Sequence, residues 1–484
     1  MSEMMLAHTG DGSNQTPISQ AILNGYAKDS PNAEGELYTL REYPELTVEE
    51  LTALQGAPYS EVFHLVTRKF LADCIDEATL RHIATSTYVP DLFDFDNGRL
   101  QLQTTPSGVY VVGLSDGPTG AFKDMAMQPF ARWVEAIRTR KGLTNQLSIL
   151  LSTSGDTGPA ALSAFGGRKN IQMIAMFPDH GVSEFQRAQM VGAHNGSDVH
   201  ALEVESDFSG INDIHMAANA VYDLGAVNSV NIARLLAQVP YHVASYLQVI
   251  EAEGKTIGDP VDVVIPSGNF GNGLAAIIAR KMGLPIRAII IATNENDTLE
   301  RFFNHQEFSP NDTTVPTDSS AQDITMPSNI WRYLAMVFDN DTDKVAAVYQ
   351  QLRATGSVDM HQFGVMRPEL VTGVTAVRVD KLGRKATMQA VFSDSGKTMM
   401  IDPHTANAVR AAEASRHDGV PIVAYETAKP FKFPDSIQAA TGELPTVPSR
   451  FQNVVADAAG KQVPHIQSEA DVLDYLGRIG VAHK

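Results

Sequence analysis

Leu114–Gln128 reads LSDGPTGAFKDMAMQ. One lysine, Lys123, stands between Phe122 and Asp124, directly after the glycine-bearing run Asp116–Gly120. The apolar string Val109, Tyr110, Val111, Val112 before it reads as a strand. Met125 to Ile137 after it has helical spacing. Lys123 therefore falls at a strand–turn–helix junction, where an open parallel sheet presents its functional groups. A lysine there is either a solvated cation at a helix start or a working amine, and this stretch alone leaves both open.

Further along, the same texture repeats. Leu147–Leu151 is a strand, followed by Ser152-Thr153-Ser154-Gly155-Asp156-Thr157-Gly158 and a helix from Pro159, a residue suited to the first helical turn. Ile171–Phe177 is a strand, and Glu184–Val191 a helix ending near Gly192. Val261–Ile265 is a strand, followed by Pro266-Ser267-Gly268-Asn269-Phe270-Gly271-Asn272-Gly273 and a helix through Leu274–Ala279. Ala288–Ala292 is another buried strand. Continuous apolar strands alternating with helices predict an α/β fold with parallel sheets covered on both faces. The polar stretch from about Gln306 to Pro327 reads as a long surface loop, and Ala386–Met400 as one or two further strands.

Residues 1–100 are mostly helical in pattern and are expected to form an N-terminal helical domain, with a catalytic region over 101–484, divided in two. Ile18–Tyr26 is amphipathic. Thr47 and Glu50 make a capping box for a second helix. Ser60–Ile75 carries Val62, Phe63, Val66, Phe70 and Leu71 on one face.

Composition sets the outer bounds. The chain has 484 residues, 43% hydrophobic and 19% charged, enough for a large core and more than one domain. A net charge of −19 argues against nucleic acid or an anionic membrane as partner. Cys74 is the only cysteine, so no intrachain disulfide forms and no zinc-type Cys/His cluster is expected. No apolar run is long enough to span a bilayer, and MSEMMLAHTG lacks the pattern of a secretory signal, so a cytoplasmic location is expected.

Two loops carry chemistry. Ser267–Gly273 leads into a helix N-terminus with glycines that let successive N–H groups face an anion. Side chains at Gly268 or Gly271 would block that approach. The loop has neither a Walker A nor a dinucleotide fingerprint. Ser152–Gly158 has the same geometry and four hydroxyls, on Ser152, Thr153, Ser154 and Thr157, suited to a carboxylate or second phosphate. Either loop can also be a plain βα turn. A lone junction lysine, a phosphate cradle without a nucleotide motif and a hydroxyl-rich anion loop together fit pyridoxal 5'-phosphate.

GPTGAFKDMAMQ around Lys123, STSGDTGPAAL from Ser152, NSVNIARLLAQ from Asn228, SGNFGN from Ser267 and ATNENDTL from Ala292 carry a resemblance, to which DPHTANAV from Asp402 and ETAKPFKFPD from Glu426 add. The chain resembles the threonine synthases, pyridoxal-phosphate enzymes of fold type II, the tryptophan synthase β-like class. The resemblance implies that Lys123 is the covalent attachment point and catalytic amine. It implies cofactor contacts at Asp156, Gly268, Asn269, Phe270, Gly271, Asn272 and Thr427, with Thr427 at the pyridine nitrogen. It places the substrate on Ser154, Thr157, Asn228, Ser229 and Arg234, the last suited to a phosphate by its bidentate fork. The implied reaction is O-phospho-L-homoserine plus water to L-threonine plus phosphate, in a monomer or homodimer that binds no nucleic acid. The alternatives are a phospho-lyase giving 2-oxobutyrate and ammonia on the same scaffold, and a non-catalytic phosphoanion binder. The sequence departs from the family at Ser115-Asp116, where Phe-His is usual, at Gly120 in place of Leu, and at Thr9-Gly10 and Glu34-Gly35-Glu36-Leu37-Tyr38 near the start. An acid at Asp116 would oppose an anionic substrate if it pointed inward.

Overall fold

The structure, a computed structural model, describes residues 3–10, 14–26, 37–206, 208–364 and 372–484. Two parallel sheets organise it. The larger has six strands in the order Val374–Arg378, Ile286–Thr293, Val261–Pro266, Ile422–Glu426, Tyr110–Gly113, Gln101–Thr104, and only the last pairs antiparallel. The smaller has five parallel strands in the order His465–Ile466, Val199–Val204, Ile171–Pro178, Leu147–Ser152, Leu224–Gly225. Ile171–Pro178 and Val261–Pro266 are buried along their whole length, which is why their sequences are apolar without alternation.

Helices cover both faces. Pro403–Ala414 and Lys381–Asp394 pack on the larger sheet through Val391, Ala408 and Val409 against Val264 and Ile290. Glu469–Arg478 closes the smaller sheet with Val472 and Leu476 against Ile174 and Leu202. Lys381–Asp394 corrects the reading of Ala386–Met400 as strands. Arg384, Thr387, Met388, Val391 and Phe392 are its buried residues, at helical spacing, and Asp380 caps it through Gly383 N–H.

The first hundred residues contain the helices Ile18–Asn24, Val48–Ala53, Tyr59–Leu71 and Glu77–Thr87. The Thr47–Glu50 capping box is present in both directions. A three-stranded antiparallel sheet, Gln15–Pro17, Met5–His8 and Tyr38–Thr39, adds to them. Its strands are too short to carry a periodic signal. Of the departures near the start, residues 34–36 lie outside the described residues.

One contact ties this region to the lysine helix, Lys123–Arg140. Pro129 lies inside that helix and has no N–H to give the carbonyl of Met125. The hydroxyl of Tyr88 donates to that carbonyl at 2.7 Å instead.

Candidate active site

The cleft between the two sheets lies at the carboxyl ends of their strands. Tyr110–Gly113, Val261–Pro266 and Ile422–Glu426 reach it from one side and Leu147–Ser152 from the other. Its empty volume is about 1080 Å³. Lys123, Ser154, Asp156, Thr157, Asn228, Ser229, Arg234, Gly268, Asn269, Phe270, Gly271, Asn272 and Thr427 all line it. Residues far apart in the chain are therefore brought to one place.

Lys123 is the first residue of its helix, and the turn before it is held from within. The Asp124 carboxylate accepts from Thr119 N–H at 2.8 Å and from its hydroxyl at 2.9 Å. A Cβ at Gly117 would lie 2.4 Å from that of Asp124, so the turn closes only on glycine. Gly120 adopts φ +70°, the left-handed region, which accounts for glycine where a leucine is usual. Lys123 Nζ lies 3.7 Å from Asp156 Oδ2 and 4.9 Å from the centre of the Phe122 ring. Burial lowers its pKa, and the Lys432 and Arg234 cations act in the same direction against Asp156.

Asp156 is held by two donors. Gln186 Nε2 donates to it at 2.9 Å, and Lys432 Nζ forms an ion pair with it. Burial alone would raise its pKa, but Lys432 and Lys123 hold it well below the usual carboxylate range. Gln186 also completes a capping box with Ser183, so helix-start geometry aims its amide. Lys432 is a site residue that sequence reasoning missed, as are Gln186 and the Ser320–Gln322 wall. The only signal for Lys432 was membership of the stretch from Glu426 quoted above, without a role.

In the loop Ser267–Gly273, Phe270 takes φ +60° and buries its ring against Phe303 and Tyr333, with ring centres 5.1 and 5.8 Å away. The helix Gly271–Lys281 starts directly after it, pointing its free N–H groups at the cleft. A Cβ at Gly268 would lie 2.8 Å from the Ala321 carbonyl, and one at Gly273 would lie 2.6 Å from the Phe270 ring. At Gly271 it would meet nothing closer than the Asn329 amide at 3.4 Å. The protein itself therefore has room for a side chain at Gly271, which lines the cleft, so the obstruction expected there falls on an approaching anion and not on the fold.

The close neighbour of Gly268 belongs to Gln306–Pro327, which is no simple surface loop. Ser319 and Gln322 are buried and Ser320–Gln322 wall the cleft. Gln322 donates to the Ala292 carbonyl at 2.7 Å and accepts from Asn407 at 2.7 Å. His404 Nε2 accepts from Ala321 N–H at 3.1 Å, and its Nδ1 lies 2.7 Å from Asp402. The ATNENDTL stretch anchors the same segment, through Asn294 to Asp323 at 2.7 Å and Asn296 to the Val315 carbonyl at 2.9 Å.

The four hydroxyls of Ser152–Thr157 do not act alike. All four residues line the cleft, but the Ser152 hydroxyl pairs with His215 Nδ1 at 2.9 Å and that of Thr153 accepts from Gly155 and Gly158 N–H within the turn, so these two are already engaged by the protein.

Arg234 follows Asn231, which caps the short helix Ile232–Leu236. It is only 4% exposed, and no carboxylate pairs with it among the described residues. Its Nη1 donates to the Val227 carbonyl at 3.2 Å, while Nε and Asn228 Oδ1 have no partner. Burial lowers its pKa to about 10. A buried guanidinium without an acid carries an uncompensated charge, which is costly to bury. Asp116 does not oppose it, because Lys429 lies 2.7 Å from both Asp116 and Glu426 and pairs with them outside the cleft lining.

Two parallel sheets meeting at a cleft, with a half-buried lysine at a strand–helix junction and two helix starts beside it, define an α/β enzyme of fold type II. The chain belongs to the threonine synthase family. Family models described as "Threonine synthase N terminus" and "Threonine synthase, C-terminal" match residues 7–88 and 405–472. The threonine synthase of Methylobacillus glycogenes is 34% identical over 467 residues, covering 91% of this chain and 95% of the relative. That of Pseudomonas aeruginosa is 33% identical over 90% of each. The crystal structure of pyridoxal-phosphate-bound threonine synthase from Brucella melitensis superposes with a TM-score of 0.86 at 31% identity, covering 99% of both chains. The yeast enzyme gives 0.87 at 26% identity, covering 98% of both.

Proposed function

We propose that the cleft converts O-phospho-L-homoserine and water to L-threonine and phosphate, with pyridoxal 5'-phosphate attached at Lys123. The observation that carries this reading is the pairing in one cleft of a half-buried lysine of lowered pKa with a buried arginine that lacks an acid partner. Family membership supports it.

The cofactor phosphate belongs at Gly268–Asn272, where the helix N-terminus and the space beside Gly271 suit an anion. Thr427 would hydrogen-bond the pyridine nitrogen, and Asp156, beside Lys123, would stand near the phenolic oxygen. Ser154 and Thr157 hold the substrate carboxylate, and Asn228, Ser229 and Arg234 hold its phosphate. When bound, the cofactor supplies the electron sink that acidifies the substrate Cα–H and Cβ–H.

Lys123 Nζ, once freed, takes the Cα proton as a neutral amine, which its half-buried position favours. Arg234 carries the charge that builds on the phosphate oxygens as the Cγ–O bond breaks. Ser320–Gln322 wall the cleft, and water adds at Cβ. No helix among the described residues is long and apolar enough to cross a membrane. A cytoplasmic monomer or homodimer is part of the same proposal.

Borohydride reduction of the purified protein followed by peptide mapping tests the attachment site, which must be Lys123. Product analysis with O-phospho-L-homoserine must then give threonine and phosphate. 2-Oxobutyrate and ammonia would indicate the phospho-lyase instead.

A further inference from the structure

Two lysines, Lys432 fully buried and Lys123 half-buried in the cleft wall, compete for one carboxylate. Lys432 is 0% exposed and ion-paired with Asp156, and its Nζ also donates to the Thr119 carbonyl at 3.2 Å. Lys123 stands farther from the same acid, at 3.7 Å. Asp156 holds a single negative charge, and its Oδ1 already accepts from Lys432 and Gln186. The charged groups facing Lys123 are Asp156, Lys432 and Arg234. Asp124, on the lysine's own helix, is turned to Thr119.

We infer that Lys432 is a positioning residue, which claims the Asp156 carboxylate as its counter-ion and leaves the Lys123 amine without one of its own. The geometry has the right polarity for this. Lys432 is closed in by the Asp156 carboxylate and a backbone carbonyl, both acceptors that hold an ammonium proton. Lys123 lines the cleft within the field of the Lys432 and Arg234 cations, and the Phe122 ring face 4.9 Å away is the one neighbour besides Asp156 that favours its charge, by less than a carboxylate would. When one proton must leave this trio of cations, Lys123 is the group that loses it. The neutral amine it becomes is the form that attacks a carbonyl and takes a proton.

Lys432 comes from the segment after strand Ile422–Glu426, which also supplies Thr427 to the cleft. Phe122 N–H donates to the Thr427 carbonyl at 2.9 Å and Lys429 N–H to the Gly120 carbonyl at 3.2 Å. This segment and the lysine turn are thus built against each other, and the placement of Lys432 follows the placement of Lys123.

This inference rests on Lys123 as the working amine, so its test needs neither turnover nor cofactor. The full chain, stripped of carbonyl ligand with hydroxylamine, is labelled with acetic anhydride from pH 6 to 11, and acetylation of Lys123 is read by mass spectrometry. In the unaltered protein the midpoint for Lys123 falls below the ordinary lysine value of about 10.4. A midpoint at or above that value overturns the inference without any variant. Lys432→Met raises the midpoint by roughly one unit or more, because Asp156 then turns to Lys123. Lys432→Gln, which keeps a donor to Asp156 and the Thr119 carbonyl, gives the same upward shift with less damage to packing. Lys432→Arg leaves the midpoint close to that of the unaltered protein. A purely structural role for Lys432 predicts lower stability in Lys432→Met with the midpoint unmoved, and that result refutes the inference. Loss of borohydride trapping at Lys123 would instead count against the proposed function and leave the labelling result intact.

Discussion

Arg234 Nη1 donates to the carbonyl of Val227 at 3.2 Å, and this neutral oxygen stands where a buried arginine usually finds a carboxylate. The guanidinium is thereby held in place without being neutralised. Its charge remains available to a ligand phosphate.

Arg234→Ala should therefore lower kcat/KM for O-phospho-L-homoserine by roughly 30- to 5000-fold, the equivalent of about 2–5 kcal/mol for an anion left unpaired. Arg234→Lys should recover part of the loss, since an ammonium lacks the bidentate fork. The cofactor absorbance and affinity should not change in either variant. Steady-state kinetics beside a cofactor titration checks this, and unaltered kcat/KM in Arg234→Ala would remove Arg234 from the phosphate site.

The two loop glycines should part company. Gly268→Ala drives a methyl onto the Ala321 carbonyl and Ile324, so it should lower the melting temperature of the protein with and without cofactor. Gly271→Ala meets no neighbour closer than 3.4 Å and stands at the first position of its helix with no positive φ, so the methyl costs the fold little. It should leave the cofactor-free protein about as stable while weakening pyridoxal 5'-phosphate binding, as seen by thermal shift and equilibrium titration. Unchanged affinity in Gly271→Ala would mean that no phosphate approaches the backbone there.

Asp124 gives a pH signature of definite sign. Burial raises its pKa to about 6 from 3.8, against the pull of its Thr119 hydrogen bonds. A carboxyl whose folded pKa is raised favours folding below its unfolded pKa, and that contribution fades as pH rises through the folded value. The charged form thus costs about 3 kcal/mol above pH 6. Asp124→Asn keeps an acceptor for Thr119 N–H and carries no charge. Its stability relative to the unaltered protein should be higher at pH 8 than at pH 4, by urea unfolding at the two pH values. An equal difference at both would show that Asp124 does not titrate as described.

Tyr88→Phe should cost about 1–3 kcal/mol, because it strands the Met125 carbonyl that Pro129 cannot serve. Replacing Pro129 by Ala in the same protein should restore most of the loss, since an alanine N–H can reach that carbonyl. Urea midpoints of the single and double variants measure the coupling.

What the residues determined by themselves was local. The Lys123 junction, the two βα loops and the capping box at Thr47 each lie within a dozen residues, where period, cap and turn chemistry act directly. Lys381–Asp394 escaped that reading, because a short apolar run such as Met388–Phe392 fits strand and helix alike until its partners are known. Tertiary structure decided the rest. Lys432 reaches Asp156 across 276 residues and His404 reaches Ala321 across 83. Such pairings depend on which strand ends meet at the cleft, and no local pattern encodes that. Whether Arg234 is a solvated surface cation or a buried unpaired charge was settled in the same way. Its own neighbours in sequence permit both, and only the packing of two sheets around it takes away the water and supplies no acid in return.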